Sequence, residues 1–294
     1  MGFFSRLKIG FGMARRSGRL LRAHPKLLAF PLVGGVAGIA FMITLFGSLF
    51  VSGLYEQPGP VLYGALFAAY VVETFVAAFF AAALVSATRT VFHGEEPSIK
   101  GALAEAWEHK VPLLAWAVIA AIVGVIIRAI ESNDNLLARI LAGLFAVAWS
   151  VMTYFIVPVI VFRDPSIGEM FKQSASTFKD TWGESIGAMG AVNIVTFLLV
   201  LVGAALGAAV FFVTPGSIEI VILTTLLIGG SAVVLALLVG QALTGIAKTA
   251  LYVYATERTA PEFFEDMDFG RLGGEDSGST GGVSSMGGGR GGRI

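Results

Sequence analysis

Residues 61–88, VLYGALFAAYVVETFVAAFFAAALVSAT, decide the fold, because they form one uninterrupted apolar run with a single charged residue, Glu73. A helix rises about 1.5 Å per residue, so roughly 20 apolar residues cross the hydrocarbon core of a bilayer. Five further runs of comparable length occur in the chain, which predicts six transmembrane spans. The predicted spans are residues 27–54, 61–88, 111–128, 136–162, 185–214 and 218–247.

The composition of the whole chain indicates the same class of protein. Of its 294 residues, 56% are hydrophobic and 14% are charged, whereas about 25% of the residues of a soluble domain are charged. Twenty Lys and Arg balance twenty Asp and Glu, so no net charge attracts nucleic acid. The chain has no cysteine, which excludes disulfides and thiolate metal sites. We therefore predict an all-α, polytopic membrane protein.

The connections after the second and fourth predicted spans look like two copies of one unit. The sequence VFHGEEPSI at 91–99 recurs as VFRDPSI at 161–167, and apolar residues at helical spacing follow each proline. We predict amphipathic interface helices near residues 97–109 and 165–182, and a basic one over residues 1–26. The predicted architecture is three repeats, each an interface helix with a transmembrane hairpin, whose spans lie within residues 27–258.

The basic residues predict the orientation. Of the twenty Lys and Arg, only Arg128 and Arg139 fall on the side opposite the termini. Because basic loops are retained in the cytoplasm, we predict a multi-pass protein of the cell membrane with both termini cytoplasmic. Four arginines of the amino-terminal helix are then predicted to contact anionic lipid headgroups, each contributing about 1 kcal/mol. They are Arg15, Arg16, Arg19 and Arg22.

The carboxyl-terminal segment is dominated by glycine and serine, so we predict that residues 259–294 form a disordered cytoplasmic tail. Its sequence GGGRGGR at 287–293 resembles a short RGG segment and also matches a GxGxxG pattern. Two arginines are too few for strong binding to phosphates, and an acidic stretch at 262–268 precedes them. We predict that the chain does not bind nucleic acid.

Catalytic and metal-binding motifs are missing from the sequence, which has no HExxH, GxxxxGK[ST] or GxSxG. His24, His93 and His109 could in principle hold zinc. Histidines at the ends of spans more often extend to the membrane interface. We therefore predict no enzymatic activity, no metal and no cofactor.

Glu73 is the candidate functional residue within the membrane. It lies about 18 Å into the second span, where an acid costs on the order of 3 kcal/mol and usually faces protein or water. Other polar candidates in the spans are Asn193, Thr196, Gln241 and Thr244. Lys248 is predicted at the inner interface, too far along its span to pair with Glu73. Two roles for Glu73 remain open: transport or proton relay, and a protonated acid that hydrogen-bonds a neighbouring helix.

Proline and glycine positions predict local features of the spans. Pro158 predicts a kink in the fourth span, because it cannot donate a backbone hydrogen bond to Tyr154. Discontinuous helices of transporters usually occur in matched pairs, and the second span has no matching proline, which counts against a transporter fold. Close helix approach is predicted at three glycine pairs. These are Gly34 and Gly38, Gly183 and Gly187, and Gly203 and Gly207.

Several segments carry a resemblance to a known family. They are HPKLLAFPLV at 24–33, YFIVPVIVF at 154–162, MFKQS at 170–174, TWGE at 181–184 and residues 241–256. Together these segments resemble a family of six-span prokaryotic membrane proteins of unknown function, abundant in haloarchaea. A looser likeness, limited to the hairpin and interface-helix pattern, extends to the membrane domain of some glycerophosphodiester phosphodiesterases. The resemblance implies a fold and a membrane location, and it implies no catalytic residue.

Two functions are compatible with these features. The leading hypothesis is a non-enzymatic accessory or scaffolding protein whose basic cytoplasmic face and tail contact lipid or a partner protein. The alternative is a small-solute or proton-coupled transporter that uses Glu73. A transporter needs a water-filled path to Glu73, whereas a scaffold depends on residues 1–26 or on the tail.

Single-cysteine variants test the predicted orientation, because the chain has no cysteine of its own. Ser132 follows the third span and Ser176 lies in a predicted interface helix. We expect an impermeant maleimide added to intact cells to label Ser132→Cys and not Ser176→Cys. Labelling of Ser176→Cys alone would show that the topology is inverted.

Overall fold

The computed structural model describes residues 3–56, 59–132, 135–265 and 267. Within these ranges the chain is almost entirely helical, and eleven α-helices follow one another. They are α1 (Phe3–Ala23), α2 (Ala29–Val51), α3 (Pro60–Phe92), α4 (Ile99–Glu108), α5 (Lys110–Glu131), α6 (Leu136–Met152), α7 (Ile156–Arg163), α8 (Ile167–Asp180), α9 (Trp182–Val213), α10 (Ile218–Thr225) and α11 (Ser231–Glu257).

Six helical segments of the described chain are long and apolar enough to cross a membrane. They are Pro25–Val51, Pro60–Phe92, Lys110–Glu131, Leu136–Arg163, Ser185–Val213 and Ile218–Glu257. Each overlaps one predicted span, so the prediction of an all-α protein with six transmembrane helices is confirmed. The fourth segment consists of α6 and α7, and the sixth consists of α10 and α11.

Spans that follow one another in sequence also pack together. α2 contacts α3, α5 contacts α6, and α9 contacts α10 and α11. α3 lies at the centre of the bundle, since it also contacts α5, α7 and α11. The three helices that belong to none of the six spans, α1, α4 and α8, lie at one end of the bundle, here called the short-helix end.

Serine caps start two of these shorter helices at the repeated Pro-Ser-Ile sequence. The Ser98 hydroxyl accepts a hydrogen bond of 3.2 Å from the Gly101 N–H at the start of α4. At the start of α8, the Ser166 backbone N–H donates a capping-box hydrogen bond of 3.2 Å to the Glu169 carboxylate, and the Ser166 hydroxyl donates to it as well over 2.7 Å. Hydrogen bonds from Ser166 lower the pKa of Glu169. The repeated sequence therefore has the same local function in both copies, which is to begin a helix.

The amino-terminal helix docks on the bundle rather than standing apart from it. α1 packs against α9 and α11, and Met13 and Leu20 are fully buried. At the crossing with α9, Gly10 lies against the Gly187 backbone so closely that a Cβ on Gly10 would overlap its carbonyl. The predicted close approach at Gly187 is thus made to α1.

The arginines of α1 are arranged around its buried side. Arg15, Arg19 and Arg22 are exposed, and Arg16 is half-buried. The Nε of Arg16 is buried without a hydrogen-bond partner in the described chain. Three of the four arginines predicted to contact lipid are therefore free of the protein core.

The most tightly packed part of the molecule lies at the short-helix end. Phe155, Phe178, Tyr252 and Phe264 are fully buried there, and Phe264 packs edge-to-face on Phe92 with ring centroids 5.9 Å apart. The packed chain therefore continues past residue 259, where the tail was predicted to begin. The glycine-rich part of that predicted tail, residues 270–294, lies outside the described residues.

Two spans are interrupted. α6 ends at Met152 and α7 begins at Ile156, so the kink predicted from Pro158 is confirmed. At this break the Phe155 N–H donates a hydrogen bond of 3.0 Å to the Ser174 hydroxyl of α8, which replaces a lost helical hydrogen bond. In the sixth span a π-helical segment, Leu226–Gly230, separates α10 from α11, and Gly229 meets Gly207 of α9 there. Close approach at Gly207 is thus confirmed.

Paired glycine substitutions test the docking of α1. Gly10→Ala inserts a methyl group into the Gly187 backbone, whereas Gly12→Ala meets only the flexible end of the Arg16 side chain. Both changes gain about 1 kcal/mol of helix propensity, so the comparison isolates the contact. We expect Gly10→Ala to lower the thermal unfolding midpoint in detergent, measured by circular dichroism, and Gly12→Ala to preserve or raise it. Equal midpoints would contradict docking through Gly10.

Candidate functional site

A large cavity lies between the spans. Its volume is about 1110 Å³, and each of the six spans contributes lining residues. One representative from each span is Gly38 of α2, Glu73 of α3, Trp116 of α5, Pro158 of α7, Asn193 of α9 and Gln241 of α11. Ligand pockets in proteins usually have volumes of about 300–1,000 Å³, so this cavity is large enough for a small molecule.

The polar residues singled out from the sequence converge on this cavity. Glu73, Asn193 and Gln241 all line it. Thr196 and Thr244 line it as well. Asn193 and Gln241 are exposed side chains, although they lie within membrane-spanning helices. Sequence reasoning found these residues one span at a time, and the fold brings them together on one surface.

Glu73 occupies one end of the cavity, against α2. A Cβ on Gly38 would lie 2.9 Å from the Glu73 Oε2 atom, so the carboxylate rests on helix backbone where a larger residue would displace it. The Oε1 atom is buried and has no hydrogen-bond partner within the described residues. Among the described residues Oε1 thus makes no interhelical hydrogen bond, and the structural role that the sequence left open for Glu73 stays a prediction.

Lys248 lies on the same cavity wall, at the other end. It precedes the end of α11 at Glu257 by nine residues, or about 13 Å of helix. Its Nζ atom sits 4.4 Å from the centroid of the Tyr154 ring, in a cation–π contact. Within the described chain, no carboxylate oxygen lies within 4.0 Å of that nitrogen. The cation is thus held by an aromatic face and not by an acid.

The two charged groups are far apart along the bundle axis. Gly245 of α11 packs against Leu84 of α3, which sets these two positions at the same level. Glu73 precedes Leu84 and Lys248 follows Gly245, so the two groups lie in opposite directions from that level and about 20 Å apart. At an effective dielectric constant of about 20, their attraction is about 1 kcal/mol. The prediction that Lys248 does not pair with Glu73 agrees with this geometry.

Polar side chains line the wall between the two charges. Gly240 of α11 abuts Thr196 of α9, so Thr196 and Gln241 lie at neighbouring levels. Thr244 and Asn193 lie closer to Lys248, by about one turn of helix. The opposite wall is apolar, with Phe80 and Leu84 of α3 among its residues. Such a surface suits a ligand with an apolar body and at least one polar end.

The helix break of the fourth span also borders the cavity. Thr153 and Tyr154 lie within the break and line the cavity, together with Pro158. Irregular backbone at membrane depth is tolerated where it is buried in protein or lines a cavity. Pro158 predicted the kink, but nothing in the sequence indicated that it would face Glu73, Asn193 and Lys248 across a common space.

The histidines take part in contacts at the short-helix end, apart from the cavity. His24 Nδ1 lies 3.8 Å from the Glu96 carboxylate, and His109 Nδ1 lies 3.3 Å from the Asp164 carboxylate. The described residues contain no cluster of three histidine, aspartate or glutamate side chains that could hold a metal ion. The prediction that the protein binds no metal stays a prediction.

Within the described residues, the fold and the cavity define a class of protein, an all-helical multi-pass membrane protein whose six apolar helices enclose a mainly apolar cavity with a few polar side chains. The chain belongs to DUF6159, a family of unknown function, whose model matches residues 61–261. The matched range contains Glu73, Asn193, Gln241 and Lys248. No curated protein and no solved structure matches the chain.

Cysteine accessibility tests whether water reaches the cavity. Gln241→Cys places a thiol on the cavity wall, and Val202→Cys places one on α9 at a position that is 67% exposed and does not line the cavity. A thiol reacts through its thiolate, which forms in water and not in lipid. We expect 2-aminoethyl methanethiosulfonate to modify Gln241→Cys at least about tenfold faster than Val202→Cys in liposomes, measured by mass spectrometry. Equal rates would indicate that lipid fills the cavity.

Proposed function

We propose that this protein is a membrane carrier that binds a small solute in the cavity and uses Glu73 as the site of an exchangeable proton. The observation that carries the proposal is the buried, unpartnered Oε1 atom of Glu73 at the wall of a cavity that all six spans line. An ionisable residue inside the membrane is costly, and it usually faces a pathway for ions or solutes.

Two further features support a carrier. Interruptions occur in the fourth span at residues 153–155 and in the sixth at Leu226–Gly230. Broken and π-bulged helices are frequent at functional sites of membrane proteins. α3, the second span, is continuous, so the interruptions do not form the matched pair that its repeat would require. The cavity and its acid therefore support the proposal more strongly than the helix breaks do.

We also propose the three-repeat architecture, with α1, α4 and α8 at the cytoplasmic surface. The second, fourth and sixth spans are each followed by a residue with left-handed backbone. These residues are Gly94 (φ 76°), Asp164 (φ 44°) and Arg258 (φ 57°). Serine caps begin both α4 and α8, and a histidine–carboxylate contact joins the start and the end of each of the first two hairpins. These shared local geometries support the proposal that the three hairpins are repeats of one unit.

The charge distribution favours the proposed orientation in the cell membrane, with both termini cytoplasmic. The exposed guanidinium groups of Arg15, Arg19 and Arg22 support a contact between α1 and anionic lipid headgroups. A non-enzymatic accessory or scaffolding role is the second proposal, since the same exposed arginines could meet a partner protein. The likeness to the membrane domain of glycerophosphodiester phosphodiesterases and the haloarchaeal likeness stay expectations from the sequence.

Replacement of Glu73 tests the carrier. The wild-type protein and its variants are reconstituted into liposomes that contain a pH indicator, and a small-molecule extract of the native cells is added. We expect Glu73→Gln to reduce the extract-dependent pH change at least about tenfold, because the amide cannot exchange a proton. Glu131→Gln is the matched control, since Glu131 ends α5 and contacts Arg128 outside the cavity.

An unchanged signal in Glu73→Gln, or no signal in the wild type, would contradict the carrier. Native mass spectrometry of protein released from its own membranes then addresses the scaffold. A stoichiometric protein partner retained by both wild type and Glu73→Gln would favour the accessory role.

A further inference from the structure

The Lys248 end of the cavity carries positive charge that the described protein does not neutralise. The ammonium group contacts the Tyr154 ring and has no carboxylate partner there. Lys248 is half-buried and lines the cavity. A cation that lines a cavity between membrane-spanning helices usually pairs with an acid or with a ligand, and Glu73 is about 20 Å away. The partner that is missing from the described chain is an anion.

The surroundings of Lys248 add to this preference for an anion. α7 begins at Ile156, next to Tyr154, and both Ile156 and Val157 line the cavity. The amino-terminal end of a helix carries partial positive charge, although here the Phe155 and Ile156 N–H groups are already hydrogen-bonded. The Asn193 side-chain amide is exposed on the same wall and forms no hydrogen bond within the described residues. An ammonium group, a helix end and an amide donor thus face one region of the cavity.

The rest of the cavity suits an apolar chain and not a free ion. From the Lys248 end towards Glu73 the wall on α2 and α3 consists mainly of apolar residues. They include Ile39, Met42, Val76, Ala77, Phe80 and Leu84. Ile39 and Ile43 of α2 are 59% and 68% exposed, and Leu237 of α11 is 48% exposed, although all three border the cavity. The cavity is therefore open along an apolar edge, through which a molecule can enter from the acyl region of the bilayer.

Glu73 sets the direction in which such a molecule lies. It is the other charged residue among those of the described chain that line the cavity. A carboxylate disfavours a second negative group beside it, so the anionic end of a ligand belongs at Lys248. The apolar end then points towards Gly38 and Glu73.

We propose that the cavity binds an anionic amphiphile, with its carboxylate or phosphate headgroup on Lys248 and its hydrocarbon chain along the α2–α3 wall. This inference rests on the proposed function, because both place the solute in the same cavity, and it names the chemical class of that solute. Lys248 provides the charge for the headgroup, the Asn193 amide provides a hydrogen-bond donor, and the exposed apolar residues at the edge of the cavity provide the entrance.

Native mass spectrometry in a non-ionic detergent tests the site with four probes. Dodecanoate and dodecyl phosphate carry the two candidate headgroups, dodecanol has the chain without the charge, and inorganic phosphate has the charge without the chain. We expect the wild type to bind one molecule of at least one of the two anionic amphiphiles, and to bind dodecanol and inorganic phosphate at least about tenfold more weakly. The stronger of the two amphiphiles identifies the headgroup.

Three variants connect the binding to Lys248. We expect Lys248→Met to weaken binding of the preferred amphiphile at least about tenfold, since a hydrogen-bonded charge pair is lost. Lys248→Arg keeps the charge and should stay within about threefold of the wild type, which also shows that the position tolerates substitution. Lys172→Met, on the exposed surface of α8 away from the cavity, is the matched control.

Each other result overturns the inference. Equal affinity for dodecanol and dodecanoate would show that the protein does not recognise the charge. Stronger binding of inorganic phosphate would show that it does not recognise the hydrocarbon chain. Unchanged binding in Lys248→Met would place the headgroup elsewhere, and no binding of either amphiphile to the wild type would reject this class of ligand. None of these results depends on the pH change measured with Glu73→Gln. The proposed carrier function can therefore be correct even if the ligand is not an anionic amphiphile.

Discussion

Contacts between glycines and side chains of neighbouring helices hold α2, α3, α9 and α11 around the cavity. Gly38 lies against Glu73, Gly240 against Thr196 and Gly245 against Leu84. Within a bilayer, helices gain little from burying apolar surface, so close packing at small residues has to stabilise their association. The same contacts determine which polar groups face one another, because a larger residue at any of these glycines would push the neighbouring helix away. The positions of these glycine contacts therefore determine the shape and the lining of the cavity.

The short-helix end and the cavity differ in how they relate to the proposed internal repeat. Serine caps, left-handed residues and histidine–carboxylate contacts recur at the ends of successive hairpins. Val91 and Val161 occupy matching positions in the repeated sequence, and the residue that corresponds to Glu73 in the second copy is Gly143. The short-helix end repeats, whereas the acid of the cavity occurs once. This contrast is what a duplicated scaffold with a single specialised site would produce.

Much of the fold could be predicted from the sequence, because the requirement for long apolar helices is strong and local. The spans follow from this requirement, and the kink follows from Pro158. The role of Lys248 in the cavity could not be predicted. Its span is 40 residues long and contains a π-helical segment. Counting residues from one end of the span therefore gives the depth of Lys248 but not the side of the helix on which it lies. The docking of α1 through Gly10 depends on a partner glycine 177 residues away, Gly187, which no local pattern indicates.

The two charges of the cavity are most simply explained by a ligand. An apolar residue in place of Glu73 would avoid the cost of an acid in the membrane, about 3 kcal/mol on insertion scales, and one in place of Lys248 would avoid a cation with no acidic partner. Glu73 and Lys248 are too far apart to offset that cost for each other, and neither has an oppositely charged partner in the described chain. Departures from the rules of stability in an otherwise consistent fold are expected at functional sites. Both departures face one cavity, and the two proposals give each a role there: Lys248 binds the headgroup of the ligand, and Glu73 exchanges a proton.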